Sequence, residues 1–201
     1  MKRTLAILLM VSISFMTPYT GMQVQALAAA AHSAAALQED WDVQFSDNQL
    51  ENLVAPVALY PDPLLAQVLL AATFPDQIDE AARQVRAYGA GYFIDATDWD
   101  VSVKAVAHYP TVLSMMADKL DWTASLGQAY VNQSSELMEA VQRLRRQARS
   151  AGYLGTSREQ EIEETGGYVY IYPAQPEYIY VPVYDPAVVF IVGAGFHRPN
   201  T

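Results

Sequence analysis

Two sets of side chains in this sequence have types and spacings that can do chemistry. The first is a group of carboxylates beside tryptophan: Asp98 and Asp100 flank Trp99, and Asp121 precedes Trp122. Two carboxylates facing each other across a cleft can hydrolyse a glycosidic bond. A neighbouring tryptophan then raises one carboxyl pKa or stacks on a sugar ring. The same positions have a plainer use. Asp100 and Asp121 stand where helix N-caps belong, with Trp99 and Trp122 as hydrophobic anchors at the helix starts. Capping is the favoured reading for both, and for Asp62 in Tyr60-Pro61-Asp62-Pro63.

The second set is tyrosine. In the run Tyr168-Val-Tyr-Ile-Tyr172, the two-residue period of a strand puts Tyr168, Tyr170 and Tyr172 on one face, and Val169 and Ile171 on the other. Tyr178 and Tyr180 repeat the pattern against Ile179 and Val181, and Tyr184 follows. The aliphatic face is expected to pack on the rest of the protein. Phenol rings on the open face form a platform for sugars, peptides or a partner strand. Alternatively, cross-strand tyrosine pairs simply stabilise a small sheet, at about 0.2–1 kcal/mol each.

Other chemistry has weak support. The three histidines, His32, His108 and His197, are far apart and lack ligand spacing. Asp76, Asp79 and Glu80 are better explained as acids in a helix first turn than as a calcium site. There is no cysteine, so disulfides, thiol chemistry and a lipid-modified cysteine are excluded. No serine sits in a nucleophile elbow, and no glycine-rich phosphate loop is present. Neither a metal nor a cofactor is expected. Arg143, Arg145, Arg146 and Arg149 make the one basic cluster. It reads as a solvated helix end, with Glu139 one turn from Arg143, or as a patch docking on an acidic partner or on the protein's own acidic surface.

These residues need elements to position them. Ser46 and Gln49 make a capping-box pattern ahead of a helix running to about Leu59, perturbed at Pro56. A second, almost wholly apolar helix runs from Pro63 to about Ala72, and an amphipathic one from Asp76 to Tyr88. Short helices follow Asp100 and Pro110. Val57-Ala-Leu-Tyr-Pro61 and Val106-Ala-His-Tyr-Pro110 resemble each other, either as a helix–hinge–helix repeat or by chance. Leu126, Tyr130, Leu137, Val141, Leu144 and Ala148 predict one long helix over about 121–151. Gly166-Gly167 is a hairpin-turn signal between a weakly alternating Glu159–Glu164 and the tyrosine strand. Pro182 and Pro186 confine the last segment to a sheet edge, which can accept a partner strand.

Lys2 and Arg3 precede an apolar run from Leu5 to Phe15, the pattern of a secretory signal and too short for a bilayer span. Residues 1–28 are expected to be a signal peptide and 29–45 a flexible alanine-rich leader. The chain has 22 acidic and 12 basic side chains, a net charge of −10. Loss of Lys2 and Arg3 brings it near −12. Such a surface repels phosphate backbones, so nucleic acid is not an expected partner.

Leu53–Leu69, Trp99-Asp-Val-Ser-Val-Lys-Ala-Val, Leu120-Asp-Trp-Thr, Ala140-Val-Gln-Arg-Leu-Arg and Tyr180-Val-Pro-Val-Tyr-Asp-Pro-Ala-Val-Val together resemble a bacterial exported family known as domain of unknown function 3300. The resemblance spans about residues 46–190. It implies an exported, mostly helical protein ending in a small β element, and it implies no activity. Members usually continue into a long Trp-, Tyr-, Gly- and His-rich tail, whereas this sequence stops at Thr201, as a short member or one lacking its tail.

The resulting expectation is a predominantly α member of the α+β class. A multi-helix bundle on one long helix (helical part 46–152) precedes an antiparallel β-unit (158–192), with 46–192 as a single domain and 193–201 as a tail. The expected role is a non-enzymatic, periplasmic or extracellular envelope module binding a protein or polysaccharide through the tyrosines. The alternative is a carbohydrate- or peptidoglycan-acting hydrolase using Asp98, Asp100 or Asp121.

Overall fold

In a computed structural model, residues 44–175 and 177–191 are described. The expected signal, residues 29–43 of the expected leader and the last ten residues lie outside them. Seven helices come first: α1 (Asp47–Val54), α2 (Asp62–Ala71), α3 (Pro75–Tyr88), α4 (Val101–Ala107), α5 (Pro110–Asp118), α6 (Leu120–Asn132) and α7 (Ser134–Ser150). A 3₁₀ turn, Tyr92–Ala96, links α3 to α4. The antiparallel hairpin β1 (Gln160–Thr165) and β2 (Tyr168–Pro173) follows, then α8 (Pro186–Ile191). The protein is thus a predominantly α member of the α+β class. Among the described residues no helix is long and apolar enough to cross a membrane.

Local chemistry sets the boundaries. Ser46 and Gln49 form the capping box that starts α1. The helix ends at Val54 rather than near Leu59, because Pro56 cannot continue its hydrogen-bond ladder, and tight turns carry the chain through Tyr60. The apolar α2 buries Leu64, Leu65, Val68 and Leu69 in the main core, together with Leu50, Val54, Ile78, Val103, Leu113, Met116, Leu126 and Leu137. Gly127 makes the closest approach. A Cβ there would lie 2.2 Å from the Ala72 carbonyl oxygen, so α6 can seat against the end of α2 only with glycine.

The expected long helix is two helices. It breaks at Gln133 (φ −139°, ψ 45°), within the run Asn132-Gln133-Ser134-Ser135. Asparagine and serine side chains compete for backbone hydrogen bonds, which weakens a helix interior. The break is also held from outside: the Gln133 amide receives the Phe45 N–H at 2.7 Å and donates to the Phe45 carbonyl at 3.1 Å.

Gly166 and Gly167 both have positive φ (63° and 83°), as a two-residue type I′ hairpin turn requires. Val169 and Ile171 are fully buried in a second small core with Leu59, Ala148, Leu154 and Val189. Of the two or three strands the pattern allows, two form among the described residues, and Tyr178–Val181 is not a third. After one isolated bridge, Gln175 to Tyr178, the chain runs without a ladder to Asp185. Much of the available sheet edge is already taken. The outward main-chain groups of β2 are occupied by side chains of α2 and α7. On β1, Ser157 donates to the Gln160 carbonyl and Ile162 N–H donates to the Thr156 hydroxyl. Ile179 and Val181 still pack inward. Beyond them, Asp185-Pro186 opens α8, with the Asp185 carboxylate accepting the Ala187 N–H at 2.9 Å. This helix replaces the expected edge strand.

Candidate functional site

The hairpin is bolted to the helices through its edge. The Gln142 side chain of α7 behaves like a strand residue: its amide oxygen accepts the Val169 N–H at 2.7 Å and its NH2 donates to the Val169 carbonyl at 3.2 Å. One turn along α7 lies Arg145, only 1% exposed. Its guanidinium donates to Ala58 O (2.8 Å), Tyr60 O (3.0 Å), Val169 O (2.9 Å) and Asp62 Oδ1 (2.6 Å). Burial lowers the Arg145 pKa and the Asp62 charge opposes that shift. An arginine stays charged in such a setting.

Asp62 therefore makes no helix cap. It lies in the first turn of α2, and its second oxygen accepts the Ile171 N–H at 3.3 Å. The Tyr60-Pro61-Asp62 corner, α7 and β2 meet at one buried cation. Of the other arginines of the cluster, Arg146 and Arg149 are exposed, as at a solvated helix end, while Arg143 is half-buried. Arg143 pairs with Glu51 (2.5 Å) and Asp47, not Glu139, and Arg149 pairs with Glu164 (3.1 Å). Arg143, Arg145 and Arg149 thus pair with the protein's own carboxylates, and Arg146 donates to the Gly167 carbonyl at 3.2 Å.

Beside this ion pair opens a hollow of about 630 Å³. Asp62, Gln142 and Arg145 reach its lining, Leu65, Leu69 and Met138 supply apolar area, and Tyr130, Ser134, Ser135 and Tyr170 add hydroxyls. Ser134 and Ser135 are there because α6 and α7 separate at Gln133. Volume and mixed lining match small-ligand or side-chain pockets.

The predicted tyrosines divide. Tyr168 and Tyr172 are exposed, at 52% and 39%, on the outer face of β2. Tyr170 is half-buried and forms a wall of the hollow, its ring parallel to that of Tyr172 (7° between planes, centroids 6.1 Å apart). Partial burial holds the Tyr172 phenol above its ordinary pKa, aided by the charges of Glu163 and Asp62. Tyr178 and Tyr180 are exposed on the segment after the hairpin and, with Arg158, line a smaller depression. Tyr184 is different and does not belong to an open face. Its hydroxyl donates to the Ala55 carbonyl at 2.8 Å and accepts the Leu59 N–H at 3.3 Å. Burial raises its pKa strongly. Tyr184 is a peg fastening the last segment to the corner after α1.

The candidate carboxylates are not assembled around the hollow. Asp98 is exposed beside the buried Trp99. Asp100 caps α4, accepting the Ser102 N–H at 2.9 Å and the Ser102 hydroxyl at 2.5 Å, and these bonds lower its pKa. Asp121 is exposed in the first turn of α6 rather than at its N-cap. None of the three lines the hollow. Trp122 donates to the Leu53 carbonyl at 3.0 Å, an anchor at the start of α6. Among the described residues, no group of three or more histidines, aspartates or glutamates is placed to hold a metal ion.

Residues 46–194 match the family model described as protein of unknown function (DUF3300). The chain belongs to that family. It is similar to the uncharacterized protein YacH of Escherichia coli (strain K12), with 31% identity over 184 residues. That alignment covers 73% of this chain and 30% of YacH, so the chain spans about a third of its relative's length. No solved structure matches. The family has no assigned function, and nothing in these likenesses shows an enzymatic activity.

Asp62, Gln142 and Arg145 are the site residues that spacing alone does not reveal. Gln142 and Arg145 lie within the family stretch Ala140-Val-Gln-Arg-Leu-Arg, and Asp62 within Leu53–Leu69. A usable signal existed: an arginine three residues after a glutamine on the apolar side of α7, flanked by Val141, Leu144 and Ala148.

Proposed function

We propose that this protein is a non-enzymatic binding module of the bacterial cell envelope. Its contact surface is the outer face of the hairpin with the hollow beside Tyr170. One observation carries the reading. On β2, Val169 and Ile171 are buried completely while the alternating phenols stay on the other side, Tyr168 and Tyr172 exposed and Tyr170 half-buried. The strand is therefore anchored without its tyrosines, which are left to contact something else. Rings with two torsions and a hydroxyl give large contact area at low entropic cost. Export is part of the proposal and is supported by the Lys2-Arg3 start and the apolar run behind it.

The test is chemical crosslinking in the native envelope, followed by identification of captured protein or polysaccharide. The Tyr170→Ala, Tyr180→Ala protein is expected to lose the captured species while keeping the wild-type circular dichroism spectrum. Undiminished capture by that variant would remove the tyrosines from the contact.

A further inference from the structure

We propose that the hairpin face takes an arginine-bearing extended segment of a partner protein. The proposal rests on the reading of that face as a contact surface and adds the chemistry of its occupant. The register pairs Tyr170 with Glu163 and Tyr172 with Glu161. Directly opposed residues of an antiparallel pair share a face. The face therefore carries two parallel phenol rings and two exposed carboxylates side by side. Ring faces attract a guanidinium through their quadrupole, and carboxylates accept its N–H fork.

Charge complementarity selects a cation. Among the described residues no lysine, arginine or histidine pairs with Glu161 or Glu163, whereas Arg83, Arg86, Arg143, Arg145 and Arg149 each have an acidic partner of their own. The one side-chain bond made to this pair comes from the neutral Thr165 hydroxyl, at 2.8 Å from Glu163. An anionic occupant would meet Glu161 and Glu163, while at the hollow Asp62 is already paired with Arg145. The geometry also suits an extended chain. A basic side chain lying across Tyr170 and Tyr172 leaves a neighbouring apolar one free to enter the hollow against Leu65, Leu69 and Met138.

The experiment uses three acetylated, amidated hexapeptides alternating leucine with arginine, citrulline or glutamate, titrated into the purified protein by calorimetry. The arginine peptide is expected to bind saturably, at least about tenfold tighter than the citrulline peptide. The double variant Glu161→Gln, Glu163→Gln is expected to weaken it at least about fivefold. Tyr170→Ala, Tyr172→Ala should do the same. The variant Asp98→Asn, Asp121→Asn removes equal charge off the hairpin and the hollow and is expected to leave affinity within about twofold, since exposed charges that do not touch the occupant are screened. Equal affinity for citrulline and arginine peptides would overturn the proposal, and if Tyr170→Ala, Tyr172→Ala abolished both, the contact face itself would still stand. Equal losses in the two carboxylate variants would reduce the attraction to diffuse charge and overturn it. So would binding retained in the double tyrosine variant, or no saturable binding of the arginine peptide to the wild type.

Discussion

Replacing Arg145 with methionine should destabilise the fold more than any other single change at the surface of the hollow. The magnitude follows from what loses a donor. Four acceptors are involved: Ala58 O, Tyr60 O, Val169 O and Asp62 Oδ1. Two have relief. Asp62 is 31% exposed and can recruit water, and Val169 O keeps the Gln142 amide at 3.2 Å. Ala58 O and Tyr60 O keep nothing comparable from α7, and each unsatisfied buried carbonyl costs about 1–3 kcal/mol. Breaking a buried ion pair from one side costs about 3–5 kcal/mol. The two figures describe the same event and overlap, so the expected loss is about 3–5 kcal/mol. That is a large part of the 5–15 kcal/mol, roughly, that holds a domain together.

The assay is urea unfolding followed by circular dichroism, reading a lower midpoint at unchanged slope. Apolar replacement of both partners of a buried pair is often harmless, because both charges leave together. Here that rescue is blocked: three of the four acceptors are main-chain carbonyls that no substitution removes. The double variant Asp62→Asn, Arg145→Met should therefore stay destabilised by about 2 kcal/mol or more, while its effect falls short of the two single effects added together. Arg145→Lys, with a charge but no planar fork, should fall between wild type and Arg145→Met. A loss under about 1 kcal/mol for Arg145→Met, or strict additivity with Asp62→Asn, would refute the assignment of Arg145 as the clamp.

Three further outcomes are expected. Gly127→Ala should cost about 1–3 kcal/mol or more in urea unfolding, even though alanine favours helix, because its Cβ would overlap the Ala72 carbonyl group. Asp100→Ala should cost about 1 kcal/mol at neutral pH. Its folded-state pKa is depressed by the Ser102 bonds, so its contribution is present above the unfolded value and is lost as pH falls through the folded one. The wild-type and variant stability curves should therefore converge below about pH 4. Tyr184→Phe should cost about 1–2 kcal/mol by leaving Leu59 N–H and Ala55 C=O without the hydroxyl. Burial raises the Tyr184 pKa, so folding favours the protonated phenol, and stability is lost as pH rises past the unfolded value near 10. The phenylalanine variant should show a shallower alkaline decline in thermal-melt midpoint.

Local signals in the sequence identify the elements that local physics decides. The Ser46–Gln49 box, the helix at Asp76–Tyr88 (beginning one residue earlier, at Pro75), the helix at Pro110, the Asp100 cap and the Gly166-Gly167 turn each appear where residue chemistry requires them. So does the division of β2 into aliphatic and phenolic sides. The α1 overrun past Val54 has a local cause in Pro56, and the other errors arise largely from tertiary competition. Periodicity through 121–151 cannot show that the Gln133 amide will bond to Phe45, 88 residues away, and hold a break open. The third strand fails because side chains from α2 and α7 reach the β2 edge first. Arg145 sits two residues after Arg143 and one before Arg146, and composition alone sorts it with the solvated charges. Its position on the Val141–Leu144–Ala148 face of α7 separates it from them. Tyr184 shares a residue type with the platform, yet its place next to Pro182 and Asp185-Pro186 puts it where the chain turns inward.

The stretches that carry the family likeness converge on one another more than on the open face. Leu53–Leu69 supplies Ala58, Tyr60 and Asp62; Ala140–Arg145 supplies Gln142 and Arg145; the segment from Tyr180 to Val189 supplies Tyr184, whose hydroxyl bonds beside Leu59. A buried cation with four fixed acceptors tolerates few substitutes. These stretches thus describe a clamp that holds a hairpin at a set angle on a helical body. Glu161, Glu163, Tyr168, Tyr170 and Tyr172 lie outside them, on the face the clamp presents. None of these five side chains bonds to the clamp, and the two fully buried side chains of β2 are Val169 and Ile171. On the proposed reading of the hairpin as a contact face, the residues that set partner choice are to be sought there rather than in the stretches that carry the family likeness.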